Sequence, residues 1–287
     1  MKNTNTFTPM MQKYLETKEQ YKDCILFYRL GDFYEMFFDD AITVSRELEI
    51  TLTGKSCGQE ERAPMCGVPY HAVDGYLTRL VAKGYKVAIC DQVEDPKQAK
   101  GLVKREVTRI VTPGTILDAQ AIDETKNNYI MCIVYIADRY GVSVADITTG
   151  DYFVTELPDG GKLKDEIYRF MPSEIICNEA FYMSGLDLED LKERFHMAVY
   201  SLESWYFDDA ACREKLMEHF KVSSLAGLGL SDYDCGVLSA GALLQYLLET
   251  QKNDLSHMTR ITPYTTGKYM MLDSSTRRNL EIVRNIA

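Results

Sequence analysis

The apolar positions of this chain alternate between helical and strand-like spacing. Phe7, Met10, Met11, Tyr14 and Leu15 fall on one helical stripe, and Thr8-Pro9 places a capping residue before a proline in the first turn. Cys24-Ile-Leu-Phe-Tyr-Arg-Leu30 is a short apolar run closed by Gly31-Asp32, which reads as a buried strand. A helix is predicted from Asp39-Asp40, whose carboxylates suit a helix N-terminus, through Glu47. Tyr76, Leu77, Leu80 and Val81 mark another helix, ended by Gly84, and Tyr85-Lys-Val-Ala-Ile-Cys90 is the next strand. A short helix is predicted after Asp95-Pro96, and Leu102 to Val111 is a last strand, stopped by Pro113-Gly114. Strand and helix alternate, so residues 1–115 form an α/β domain.

Residues 116–128 are polar and weakly patterned, as expected of a linker. Beyond them Tyr129–Ile136, Val142–Ile147 and Tyr152–Leu157 predict three strands, with turns at Asp138-Arg-Tyr-Gly141 and Thr149-Gly150-Asp151. That is an antiparallel meander. Leu163–Phe170, Glu174–Cys177 and Ala198–Ser201 then alternate helix and strand, and helices are predicted near 208–220 and 233–251. A second α/β domain over 129–262 fits this pattern. From Asp273 the spacing predicts a helix that is still running at Ala287, so 263–287 reads as the start of a helical domain.

Charge changes the picture by dividing the chain. The formal net charge is −11, yet residues 1–115 carry 16 basic and 16 acidic side chains. Residues 116–287 hold the other 16 basic and 27 acidic residues, and so the whole imbalance. An acidic surface repels phosphate, so nucleic-acid contact is expected in the first part and protein contact in the second. No run approaches eighteen apolar residues, and the first residues contain no apolar signal segment, so a cytoplasmic protein is the default. The eight cysteines are scattered without a C-x-x-C pair and mostly sit in apolar runs, which makes them reduced core residues and a zinc site unexpected.

Several patterns imitate known chemistry. Gly54-Lys55-Ser56 resembles the tail of a phosphate-binding loop, but Glu49 stands where the leading glycine is needed. Gly227-Leu-Gly229 lacks the third glycine of a dinucleotide fingerprint. Asp138, Asp146 and Asp151 lie at the meander turns. They allow a Mg²⁺-dependent nuclease reading, beside the plainer one that aspartate favours turns. Gly31-Asp-Phe-Tyr-Glu-Met-Phe37 is the unusual segment. If it is extended beyond Gly31, Phe33 and Glu35 share one face while Tyr34 and Met36 point inward, and pattern alone favours core packing of Phe33 over a functional role.

That segment is similar to the Phe-x-Glu element of the MutS family of DNA mismatch-repair proteins. Pro64-Met-Cys-Gly-Val-Pro-Tyr-His-Ala72, Ala88-Ile-Cys-Asp-Gln-Val-Glu-Asp-Pro96, Val107-Thr-Arg-Ile-Val-Thr-Pro-Gly-Thr115 and Arg277-Arg-Asn-Leu-Glu-Ile282 resemble MutS segments in the family order. The resemblance implies a mixed-sheet mismatch-recognition domain, a ribonuclease-H-like connector and the start of a helical core. It makes duplex DNA with a mismatch the ligand, Phe33 a stacking wedge and Glu35 its hydrogen-bonding companion. Met65, Val68, Tyr70 and His71 would lie on a loop lining the same groove. Lys55, Lys104, Arg105 and Arg109, together with Lys97 and Lys100, are candidates for phosphate contact. A MutL-type repair factor would dock on the connector. The full-length family is a homodimer in which one subunit makes the wedge contact, and it is an ATPase. ATP and Mg²⁺ are therefore expected only outside this chain, which by itself should not be an enzyme, and the location would be nucleoid-associated. Two other classes remain open: a pure interaction module, and a nuclease built on the second domain.

Overall fold

A computed structural model describes residues 7–94, 101–116, 127–195, 197–252 and 255–266. The chain divides into two compact units, Met1–Glu124 with Glu249–Lys252, and Thr125–Leu248 with Asn253–Ala287. Both are mixed α/β.

The first unit runs α1 (Pro9–Gln20), β1 (Cys24–Leu30), β2 (Phe33–Phe37), α2 (Phe38–Leu48), β3 (Thr53–Lys55), β4 (Ala63–Pro69), α3 (Val73–Val81), β5 (Lys86–Gln92) and β6 (Arg105–Val111). Its sheet has the order β3-β4-β2-β1-β5-β6, with β1 and β5 parallel and the other neighbours antiparallel. Both faces are apolar, but they are covered unequally. Ile25, Phe27, Tyr34, Met36, Cys66, Val68, Val87 and Ile89 pack under α2 and α3 through Ala41, Val44, Leu48, Leu77 and Leu80. Cys24, Leu26, Tyr28, Phe37, Ala88 and Cys90 face the other way and meet Met11 and Tyr14 of α1. One short helix covers that second face only in part.

A buried polar knot ties the elements together. Asp40, in the first turn of α2, accepts hydrogen bonds from the Leu26 amide of β1 at 2.9 Å and the Tyr14 hydroxyl of α1 at 3.3 Å. It also pairs with Lys18 Nζ at 3.0 Å. Burial, reinforced by Asp40, pushes the Tyr14 phenol well up, so it remains a donor.

The second unit comprises β7 (Tyr129–Ile136), β8 (Arg139–Asp146), β9 (Asp151–Leu157), α4 (Gly160–Phe170), β10 (Glu174–Cys177), α5 (Leu188–Phe195), β11 (Ala198–Ser201), α6 (Asp209–Phe220), most of α7 (Cys235–Gln251) and β12 (Thr262–Pro263). The sheet order is β11-β10-β7-β8-β9-β12. Strands β7, β8 and β9 form the antiparallel meander, while β10 runs parallel to β7 and β11 parallel to β10. This is the ribonuclease-H-like arrangement. One face packs against Leu216 of α6 and Val237, Leu243 and Leu247 of α7. The other packs against Leu163 and Ile167 of α4 and Leu191 of α5.

The structure corrects several expectations. The β7–β8 turn is two residues, Ala137-Asp138, both at positive φ, where a four-residue turn was predicted. Strands β3 and β4 and helix α5 carry no strong periodic signal and were not predicted. The predicted helix after Asp95-Pro96, most of the 116–128 linker and the helix from Asp273 lie outside the described residues.

Two consequences can be measured. A Cβ on Gly141 of β8 would collide with the Cys235 carbonyl and the Gly236 amide, a backbone contact that cannot yield. Gly141→Ala should therefore cost about 1–3 kcal/mol in urea unfolding. Gly75→Ala, in open space within α3, should be neutral or gain up to about 1 kcal/mol. Burial also pushes the thiols of Cys24, Cys66, Cys90, Cys177 and Cys212 up to about 12, so little thiolate exists at neutral pH. All eight cysteines are free and buried. A thiol-modifying reagent at pH 8 should leave them unlabelled in the native chain and label all eight in denaturant. Rapid native labelling at Cys66 would contradict the packing.

Candidate nucleic-acid interface

The candidate site is the outer end of β2. Gly31 and Asp32 form a two-residue turn between Leu30 and Phe33, with positive φ at Gly31 only, the pattern of a type II′ hairpin turn. Side chains then alternate. Tyr34 and Met36 enter the core beneath α2 and α3, and Phe33, Glu35 and Phe37 point to the α1 face. Helix α1 covers Phe37, whose ring meets Tyr14 edge-on at 4.9 Å, and stops short of the other two. Phe33 is left 47% exposed. Such exposure is unusual for phenylalanine, and here register imposes it.

Glu35 stands half-buried beside it. Its cross-strand neighbours are Tyr28 of β1 and Gly67 of β4. Lys55, from the edge strand β3, reaches its carboxylate at 2.5 Å, with the two side chains 33% and 16% exposed respectively. Glu35 is thus an ion-paired group and not a lone anion.

The remaining candidates separate. Val68 is 1% exposed, because it lies on β4 opposite Tyr34 and shares its inward direction. It belongs to the core and lines no groove. The segment predicted as a loop is strand β4 followed by a single 3-10 turn over Tyr70–Ala72. Met65, opposite Phe37, lies on the α1 face and is partly covered. Tyr70 and His71 are exposed on the 3-10 turn, with rings edge-on at 5.9 Å.

Among the described residues, Lys104, Arg105 and Arg109 do not form one patch. Lys104 pairs with Glu106 at 2.6 Å on the surface. Arg109 sits opposite Ile89 and approaches Asp74 of α3 at 4.0 Å, on the face away from Phe33. Arg105 turns inward. Its Nε donates to the Arg29 carbonyl at 2.6 Å, and its guanidinium lies 5.3 Å from the Tyr28 ring. Lys97 and Lys100 lie outside the described residues.

Arg29 itself was not singled out in the sequence. Its Nε donates to the Gly31 carbonyl at 2.5 Å, and its guanidinium stacks 3.6 Å above the Tyr70 ring. A charged side chain inside the apolar run Cys24–Leu30 was the available signal, since such a group needs a partner. Beneath it the Tyr34 hydroxyl donates to Asp91 at 2.6 Å, and burial together with that bond pushes the phenol up.

In the second unit Asp146 is fully buried. Its carboxylate accepts bonds from the amides of Asn128 and Thr148 and from the Thr148 hydroxyl, which builds the turn after β8. Asp138 accepts from Tyr135 at 2.6 Å. Among the described residues no group of three or more His, Cys, Asp and Glu side chains is placed to share a metal ion. Among them, too, no helix is long and apolar enough to cross a membrane.

The chain thus couples an α/β module with an exposed aromatic–carboxylate pair at its sheet end to a ribonuclease-H-like module. Residues 8–120 match the family model of MutS domain I, and residues 128–259 match that of MutS domain II. The chain belongs to the MutS family. It is similar to the DNA mismatch repair protein MutS of Lachnoclostridium phytofermentans, at 65% identity over 97% of this chain and 30% of that protein. The proteins of the same name from Ruminiclostridium cellulolyticum and Acetivibrio thermocellus are 53% and 52% identical, over 98% of this chain and 32% of each. The chain therefore spans about a third of the length of these relatives.

The ion pair generates a test independent of any ligand. Lys55→Met leaves a half-buried carboxylate unpartnered and should cost about 1 kcal/mol, given partial exposure. Adding Glu35→Gln should recover most of that loss. Equal additive losses in a double-mutant cycle would show that the pair contributes nothing.

Proposed function

We propose that this chain recognises base-base mismatches and small unpaired loops in duplex DNA, the first step of mismatch repair. Phe33 is inserted into the base stack, and Glu35 hydrogen-bonds the mispaired base. The observation that carries this reading is the exposed Phe33 held beside Glu35, within the segment that matches MutS domain I.

The physics supports it. A mispaired step is poorly stacked and deforms more easily than a paired one, so a kink there costs less. An apolar wedge entering from the minor groove unstacks the step and bends the duplex. Stacking on an aromatic ring is worth about 1–3 kcal/mol per base and is blind to base identity. Phe33 then supplies affinity, and the difference in deformability supplies discrimination. The zero net charge of residues 1–115 fits a protein that reads shape with few phosphate contacts.

Glu35 poses the harder question, since a carboxylate is repelled by phosphates. Its pairing with Lys55 brings it to the groove with its charge balanced. A protonated Glu35 would donate to an acceptor on the mispaired base, whereas an ionised one would penalise paired DNA. Glu35→Gln separates these roles. It keeps mismatch affinity in the first case and tightens paired-duplex binding in the second.

The acidic second unit favours an additional role in docking a MutL-type repair factor. Homodimer formation, ATP hydrolysis and its Mg²⁺ are assigned to the full-length protein.

Fluorescence anisotropy at low salt tests the wedge. Wild type and Phe33→Ala are compared on a duplex with one G·T or one unpaired T and on its paired counterpart. Wild type should prefer the mismatched duplex, and the variant should lose roughly tenfold or more of that preference while remaining folded, as expected for a lost stack. Equal preference in both proteins would sink the reading.

A further inference from the structure

We infer that Arg29 and Tyr70 form a clamp that fixes the Gly31–Asp32 turn and so sets the pose of Phe33 before DNA arrives. The inference rests on the wedge reading above. It concerns a positioning role, since neither residue need touch the mispaired base.

The turn is held at both of its carbonyls. Arg29 Nε donates to Gly31 O at 2.5 Å, and the Tyr70 amide donates to Asp32 O at 3.0 Å. The two clamping residues are joined to each other, because the Arg29 guanidinium lies 3.6 Å from the centroid of the Tyr70 ring. The same guanidinium stands 5.6 Å from the ring of Tyr34, which is anchored through its hydroxyl to Asp91. Arg105 holds the Arg29 backbone from a fourth direction by donating to its carbonyl. Among the described residues Arg29 makes no ion pair and Phe33 no ring–ring contact.

A two-residue turn carrying an exposed aromatic would otherwise be anchored only by the strand ladder on either side. Ordering a side chain and its turn on binding costs affinity, and a turn ordered beforehand avoids that cost. The geometry also specifies which residue types suffice. Stacking and directed donation from Nε need the planar guanidinium, which an ammonium group does not reproduce. Tyr70 acts through its ring and its backbone amide, so its hydroxyl is dispensable. A phosphate contact by Arg29 would make a different demand, for charge alone.

The test uses this chain with Arg29→Lys, Arg29→Met, Tyr70→Phe and Tyr70→Leu, each checked by thermal melting. Anisotropy measures the ratio of paired to mismatched dissociation constants and the salt dependence on paired DNA. Under the clamp, Arg29→Lys, Arg29→Met and Tyr70→Leu each lose about five- to tenfold of the mismatch preference. Tyr70→Phe behaves as wild type, and paired-duplex affinity and its salt slope do not change. The clamp is overturned if Arg29→Lys retains the preference while Arg29→Met loses it with a salt slope shallower by about one, the mark of a lost phosphate contact.

A second readout needs no DNA. Hydrogen exchange at the Gly31, Asp32 and Phe33 amides should quicken in both Arg29 variants and stay at the wild-type rate in Tyr70→Phe. Unchanged exchange in Arg29→Met also overturns the clamp. Failure of the wedge reading shows separately, as a Phe33→Ala variant that keeps its mismatch preference. The exchange data then decide the clamp alone.

Discussion

The site depends on one constraint, the alternation of side chains along β2. Tyr34 and Met36 must be buried, because they complete the core beneath α2 and α3. Once they point inward, Phe33 and Glu35 have only the opposite face available. Helix α1 covers Phe37 on that face and ends its coverage there. A register shift of one residue would bury Phe33 and expose Tyr34, destroying the core and the site together. Core packing and presentation of the aromatic pair are therefore one specification.

Polar contacts refine what packing imposes. Asp40 joins α1, β1 and α2 in a buried knot, and so positions the helix whose limited reach leaves Phe33 open. Lys55 comes from a three-residue edge strand to balance Glu35. Arg29 and Tyr70 tie down the turn from opposite ends of its short span. The contacts of Asp40 with Tyr14, of Lys55 with Glu35 and of Tyr70 with Asp32 join residues distant in sequence, while that of Arg29 with Gly31 spans two positions. The mechanism proposed here asks for such rigidity, since a wedge that reads deformability in DNA must not itself deform first.

The two units use charge differently. The first balances its charges, with 16 basic and 16 acidic side chains over residues 1–115, and pairs Lys104 with Glu106 and sets Arg109 near Asp74. That suits recognition by shape, where general attraction to DNA would dilute discrimination. Residues 116–287 carry the acidic excess, and Asp138 and Asp146, at the turns of the ribonuclease-H-like sheet, are spent on local structure. Asp146 is occupied by the turn it caps, and this removes the main support for reading that sheet as a nuclease.

Much of this was legible in the sequence. Periodicity located α1 and β1, the meander and α7, because each has enough apolar positions to declare its period. The Phe33–Glu35 pair was legible for the same reason, since alternation after Gly31 is a local property. Strands β3 and β4 were not, because Thr53–Lys55 is too short to show a period and Ala63–Pro69 contains two prolines and a glycine. Val68 was misplaced on a loop for want of that strand, and its burial follows only from pairing with Tyr34. The sequence by itself thus determined that Phe33 and Glu35 share one face of β2 and Tyr34 and Met36 the other, because side-chain direction in a strand has period two. Tertiary structure alone decided what surrounds them. The partners Lys55, Tyr70, Arg105 and Asp91 lie about 20 to 76 positions from the residues they hold, a separation at which no local rule of spacing operates.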